Sequence, residues 1–182
     1  MTAGPVGQPG LVLDATCLSH FARAERLDVL CDLLIGRDCW TTGVVLDELD
    51  RGVMAHPALA QVATQDWLKV APLDSLDEIM LFATWARRVG SGERDRGEAS
   101  VFAVAESRGA IAISDDRNAV RVARTYGISV HGTIWILAEA CQTGKLTEHA
   151  VGNLIDVLRS TGHRLPCTGA EFPEYALRHG LR

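Results

Sequence analysis

Five carboxylates carry the chemical interest of this chain: Asp14, Glu48, Glu98 and the adjacent pair Asp115 and Asp116. Each stands at the end of an apolar run or inside the helix that follows one. Two carboxylates about 4 Å apart repel by roughly 4 kcal/mol at an effective dielectric near 20. Acids gathered in this way must therefore take up protons or hold a cation. A donor set made only of carboxylate oxygens suits the hard ions Mg²⁺ or Mn²⁺. A metal held by acids alone points to phosphoryl chemistry. No Ser–His or Cys–His spacing suggests an activated covalent nucleophile.

Each acid also has an ordinary structural role to weigh. Asp14 closes the run Leu11-Val12-Leu13 and could simply cap the next helix, worth about 0.5–2 kcal/mol. Its strand-end position is also where open parallel sheets bind ligands. On a helix from Val44 to Val53, Val45, Leu46, Leu49 and Val53 form the buried arc at 100° per residue. Asp47 and Asp50 then fall in water, and Glu48 flanks the arc. Glu98 falls inside the arc made by Val101, Phe102, Val104 and Ala105, where an isolated charge is very costly. Its ordinary alternative is a first-turn glutamate favoured by the helix dipole. Glu93 and Asp95 are expected in an exposed loop ahead of it. Of Asp115 and Asp116, one is expected to cap the following helix and the other to project across the sheet edge. Ser114 offers a hydroxyl beside them. Arg117, Arg121 and Arg124 recur at i, i+4 and i+7, which reads either as a solvated helix face or as contacts to a nucleic-acid backbone.

The elements that must bring these residues together are legible from periodicity. Strands are predicted at Leu11–Leu13, Cys39–Thr42, within Trp67–Leu73, at Ala110–Ser114 and at Ile128–Val130. Thr16 is read as a cap for a helix continuing through Ala22–Ile35, and a shorter helical stretch starts at Pro57. Further helices are predicted over Leu76–Val89, Glu98–Arg108, Arg117–Tyr126, Thr133–Gln142 and Thr147–Arg159, with a final turn near Tyr175. Gly90–Gly97 (GSGERDRG) reads as a loop. Alternation of strands and helices implies a mostly parallel sheet with helices on both faces. Because strand ends line one edge of such a sheet, acids a hundred residues apart can converge.

Composition sets the outer bounds. The 182 residues fit one domain, and 47% apolar with 23% charged content is ordinary for a globular chain. The opening MTAGPVGQPG has no basic cluster and no hydrophobic stretch, so residues 1–10 are expected to be a disordered tail and not a secretory signal. No run approaches the length of a membrane span, and a cytoplasmic location is expected. The five cysteines show no CxxC spacing and the histidines no HExxH pair, which argues against disulfides and zinc. A net charge of −5 argues against bulk coating of nucleic acid but not against a nuclease, since an acidic metal site supplies several negative charges itself.

Taken together, LVLDAT, VVLDEL, GEASVFAVAESRGAIAISDDR and GISVHGT resemble the PIN-domain family, in its prokaryotic branch related to the toxin ribonucleases of VapBC-type pairs. The resemblance covers about residues 11–143; residues 144–182 are read as a helical extension of the same domain. It implies a three-layer α/β/α fold and a Mg²⁺- or Mn²⁺-dependent endoribonuclease leaving 5′-phosphate and 3′-hydroxyl ends. Residue by residue, it makes Asp14, Glu48, Glu98 and Asp116 the catalytic acids and metal ligands, with Asp115 as a substitute for the last. The doubled aspartate departs from the usual pattern of one acid after a polar residue. The resemblance also implies an RNA substrate, a homodimer, and a small antitoxin partner if the chain is a toxin; on the nucleic-acid reading of their spacing, Arg117, Arg121 and Arg124 would contact that RNA. The competing expectation is a catalytically inactive PIN-like module that binds protein or RNA. A haloacid-dehalogenase-like phosphatase would want an aspartate two residues after Asp14, where Thr16 stands.

Overall fold

Leu11, Val12 and Leu13 are completely buried and form β1, the central strand of a five-stranded sheet. The computed structural model describes residues 8–90 and 92–181. Within it the other strands are β2 (Cys39–Thr42), β3 (Leu68–Ala71), β4 (Ile111–Ile113) and β5 (Val130–His131), in the order β3-β2-β1-β4-β5, every pair parallel. Strands covered on both faces need apolar side chains at successive positions; β1 and β4 have them throughout.

The helices are α1 (Ala15–Arg23), α2 (Leu27–Leu34), α3 (Gly43–Gly52), α4 (Leu76–Val89), α5 (Glu93–Arg108), α6 (Arg117–Thr125), α7 (Thr133–Gln142), α8 (Glu148–Ser160) and α9 (Phe172–Arg178), with a 3₁₀ turn at Pro57–Thr64. The helix α5 packs on β1, β2 and β4, with α4 and α6 against it, while α1 packs on α2, α3 and the 3₁₀ turn. The expected α/β/α architecture is what the chain adopts. None of the helices among the described residues is long and apolar enough to cross a membrane.

Three features depart from expectation. The helix predicted to run on through Ala22–Ile35 is broken, because Glu25 takes left-handed backbone (φ 55°) between α1 and α2. The Gly90–Gly97 segment is mostly helical: α5 starts at Glu93, and the Asp95 carboxylate accepts the Gly92 N–H at 3.1 Å. An acid three residues inside a helix start satisfies one of its orphan donors. Glu98 therefore sits in the second turn of α5, and the capping explanation for it no longer applies. The last strand is shifted to Val130–His131. Of the tail expected over residues 1–10, residues 1–7 lie outside the described residues.

The sheet order fixes where a site can form. From β1 the chain steps outward to β2 and β3, then returns to the other side of β1 for β4 and β5. The reversal falls between β1 and β4, and ligands of such sheets bind at the carboxyl ends of the strands there. Asp14 follows β1, and Ser114, Asp115 and Asp116 follow β4.

Candidate active site

Asp14 begins α1 as its N-cap: one carboxylate oxygen accepts the Cys17 N–H at 2.9 Å. The other oxygen, Oδ2, is buried and meets no hydrogen-bond geometry among the described residues. The residue is 2% exposed. Burial drives its pKa well above the ordinary carboxylate value, and the Asp115 and Glu98 charges push the same way, against the Cys17 N–H and the nearby Ser114 hydroxyl.

Glu48 and Glu98 are brought together by a hydroxyl pair. Thr42 caps α3, its Oγ1 accepting the Val45 N–H, and lies 2.7 Å from the Ser100 hydroxyl of α5. Ser100 Oγ in turn stands 2.7 Å from the Gly97 carbonyl, so α5 is pinned against the start of α3. Gly97 leaves the room Glu48 uses: a Cβ there would stand 2.7 Å from Glu48 Oε2. Glu98 Oε2 is buried and accepts no hydrogen bond from the described residues. Burial, followed by the charges of Glu48, Asp116 and Asp95, raises the Glu98 pKa to about 7.

The doubled aspartate divides its work. Asp115 accepts the Thr133 N–H at 2.9 Å on Oδ1, and on Oδ2 the Thr133 hydroxyl at 2.5 Å and His163 Nε2 at 3.0 Å. Burial alone would raise its pKa, but the His163 and Thr133 donors outweigh it and hold the carboxyl below its usual range. Gly132 makes this possible, since a Cβ there would meet Asp115 Oδ1 at 2.5 Å. Asp116 is exposed and caps α6, one oxygen accepting the Ala119 N–H at 2.8 Å. Its own N–H donates to Ser114 Oγ at 3.3 Å.

Glu48, Glu98, Asp115 and Asp116 line one cavity of about 410 Å³ with Thr16, His20, Asp95, Gly162, His163 and Arg164. Asp14, although coupled to Asp115 and Glu98, is not part of its wall. Among the described residues, no arginine or lysine forms an ion pair with Asp14, Glu98 or Asp116. Nor do any three His, Cys, Asp or Glu side chains among them already stand as a closed metal-binding group. The donor chemistry nonetheless fits a hard cation. Two buried carboxylate oxygens lack donors, both acids are pushed towards their protonated forms, and every candidate ligand atom is an oxygen.

Several lining residues were not singled out in the sequence. Asp95 is half-buried in the cavity wall, not in an exposed loop, because α5 begins before it; three residues ahead of Glu98, it shares that helix face. Thr16 and His20 stand one turn apart on α1. His20 stacks on His163 with ring centroids 4.1 Å apart and 7° between planes. His20 Nδ1 lies 2.6 Å from Thr161 Oγ1, which itself donates to the Leu158 carbonyl, so the imidazole is the donor. Burial and the adjacent His163 lower the His20 pKa to about 4, leaving it neutral at pH 7. His163 and Arg164 come from the segment after α8, which carried no periodic or motif signal.

The arginines of α6 are not in the acid cavity. Arg117, Arg121 and Arg124 line a shallow groove of about 580 Å³ on the helix flank. Arg124 also donates to the Val130 carbonyl at 3.2 Å, tying α6 to β5. All five cysteines are free.

A search of curated proteins finds no match to this chain. A family model described as a PIN domain matches residues 10–169, most of the chain and beyond the 143 at which the sequence resemblance faded. That match spans β1 through α8 and the segment carrying His163 and Arg164. With its parallel sheet and its acids at the switch point, the chain has a nuclease-type fold and belongs to the PIN-domain family.

Proposed function

We propose that the protein is a metal-dependent endoribonuclease that hydrolyses RNA phosphodiester bonds. The observation that carries this reading is the pair of buried, donorless carboxylate oxygens on Asp14 and Glu98 beside a cavity of further acids. Asp14, Glu48, Glu98 and Asp116 would hold Mg²⁺ or Mn²⁺. Such an ion, when bound, supplies Lewis acidity towards the phosphodiester and lowers the pKa of an attacking water.

The chain's own residues do the rest. Glu98, held half-buried by the Thr42–Ser100 contact, keeps a carboxylate poised for a cation and, among the described residues, not paired with an arginine. Asp115 fixes the start of α7 and the turn bearing His163, so the cavity wall is braced on that side. Neutral His20 adds no positive charge to compete with a cation. Exposed Arg164, at the wall, meets the substrate's negative charge. Within this reading, a toxin restrained by a small antitoxin is the physiological role we favour, acting as a cytoplasmic homodimer.

The test is cleavage of end-labelled RNA with Mg²⁺ or Mn²⁺, after chelation, and after metal is restored. We expect activity to vanish with chelation, return with metal, and fall by at least 100-fold in Glu98→Gln while circular dichroism stays unchanged. Cleavage that survives chelation would refute the proposal. Failure to bind Mn²⁺ by calorimetry would favour the inactive binding module instead.

A further inference from the structure

Three cavities follow one another from the acids outward, each sharing lining residues with the next. The acid cavity shares Asp115 and Arg164 with a smaller one of about 200 Å³, lined by Arg117 and Tyr175 as well. That second cavity shares Arg117 and Val120 with the groove on α6 that holds Arg121. One wall of this path is α6; the other is the segment after α8 that begins at Gly162 and reaches Tyr175 in α9. Arg117, Arg121 and Arg164 are exposed, and none forms an ion pair among the described residues.

This arrangement answers a difficulty created by the acids. A polyanion approaching a cluster of carboxylates is repelled, and unpaired guanidinium groups along the approach reverse the local field. Arg117 and Arg121 stand one helical turn apart, about 6 Å along the axis, so they can follow a strand instead of gripping one phosphate. Tyr175 adds a different chemistry. It is half-buried, its ring is steadied by His179 at a centroid distance of 4.2 Å, and Arg117 is near enough to act on its hydroxyl. Aromatic rings stack on bases that are not paired, whereas a duplex presents backbone and minor groove.

We propose that single-stranded RNA leaves the acid cavity along this path, with Arg164 and Arg117 on its phosphates and Tyr175 stacking on a base. The inference rests on the nuclease reading for the identity of the polymer, and it assigns Arg164 and Tyr175, from the C-terminal segment, a binding role.

The experiment is fluorescence anisotropy of a labelled single-stranded RNA 12-mer with the full chain, in EDTA so that no cleavage intervenes, across a series of salt concentrations. For Arg117→Gln combined with Arg164→Gln, the slope of log affinity against log salt should become shallower by about 1.4, roughly 0.7 per lost contact. Tyr175→Ala should weaken binding roughly 10-fold or more at unchanged slope, and Tyr175→Phe should restore it to within about twofold. A duplex of the same length should bind more weakly than the single strand. Wild-type affinity in the arginine and alanine variants, equal binding of duplex, or no binding by the wild type each overturns the path. Cleavage plays no part in this readout. A chain that binds as described yet never cuts RNA would leave the path standing and remove the nuclease reading.

Discussion

Replacing Glu98 by glutamine should make the metal-free protein more stable, and only on the alkaline side. Glu98 titrates at about 7 in the fold against an ordinary glutamate value of 4.5. Between those values the folded chain keeps a proton that the unfolded chain has released. Stability must then fall as pH rises through that window, and stay low above it. At about 1.4 kcal/mol per pH unit the full penalty would approach roughly 3 kcal/mol. Glu98 is half-buried, and solvent screening reduces this to about 1–2 kcal/mol. Glutamine carries no charge to desolvate or repel. At pH 8 without metal, Glu98→Gln should therefore melt higher than wild type by about 2–8 °C, taking roughly 2–4 °C per kcal/mol for a chain of this size. At pH 4.5 the gap should shrink towards zero. Saturating Mn²⁺ should reverse the order, because an ion at 100 times its dissociation constant stabilises by about 2.7 kcal/mol and the glutamine chain should lose most of that gain. Differential scanning fluorimetry at both pH values, with and without Mn²⁺, gives all four numbers. Equal melting of the two chains at pH 8, or equal gains from Mn²⁺, would refute the claim that Glu98 is strained by burial and crowding for the sake of a cation.

Other substitutions separate capping from metal binding. Asp14→Asn keeps an oxygen able to accept the Cys17 N–H and should cost little stability, whereas Asp14→Ala should lose about 0.5–2 kcal/mol in urea melts; both should lose RNA cleavage. Gly97→Ala should leave stability unchanged or raise it by up to about 1 kcal/mol through helix propensity, yet weaken Mn²⁺ binding in calorimetry, since the new Cβ must displace Glu48 Oε2 from 2.7 Å. Asp115→Asn should lower stability by about 2–4 kcal/mol by unbalancing a buried network. Asp116→Asn, which keeps an acceptor for Ala119 N–H, should instead reduce Mn²⁺ affinity further than Asp115→Asn does; the opposite ranking would identify Asp115 as the ligand.

How far the sequence could be read follows from the range of the interactions involved. The strands Leu11–Leu13 and Ile111–Ile113 announce themselves because strands buried on both faces need apolar side chains at every position. Given those strands, right-handed crossovers leave few topologies, and the switch point draws Asp14 and the Asp115–Asp116 pair together without any further signal. Glu98 was legible for a related reason: a carboxylate on an apolar helix face has no comfortable explanation in a folded chain. What stayed hidden depended on distant or local exceptions. The left-handed Glu25 that ends α1 breaks a pattern whose apolar spacing would allow one long helix. The start of α5 rests on a single Asp95 side chain reaching back to Gly92. The stack of His20 on His163 links positions 141 and more residues apart through Thr161, with no periodicity to betray it.

The doubled aspartate shows why such a gap matters for chemistry. From sequence, two adjacent acids after β4 exceeded what capping one helix needs, and either could have been the ligand. His163, 48 residues away, joins Thr133 in occupying both oxygens of Asp115. An acid whose acceptors are already filled by three donors stays ionised and rigid but has little left to offer a cation. Asp116 spends one oxygen on Ala119, lines the cavity, and accepts no hydrogen bond on its other oxygen from the described residues. One aspartate can thus brace α7 and the C-terminal segment while its neighbour remains available, a division that a single acid at this strand end could not achieve.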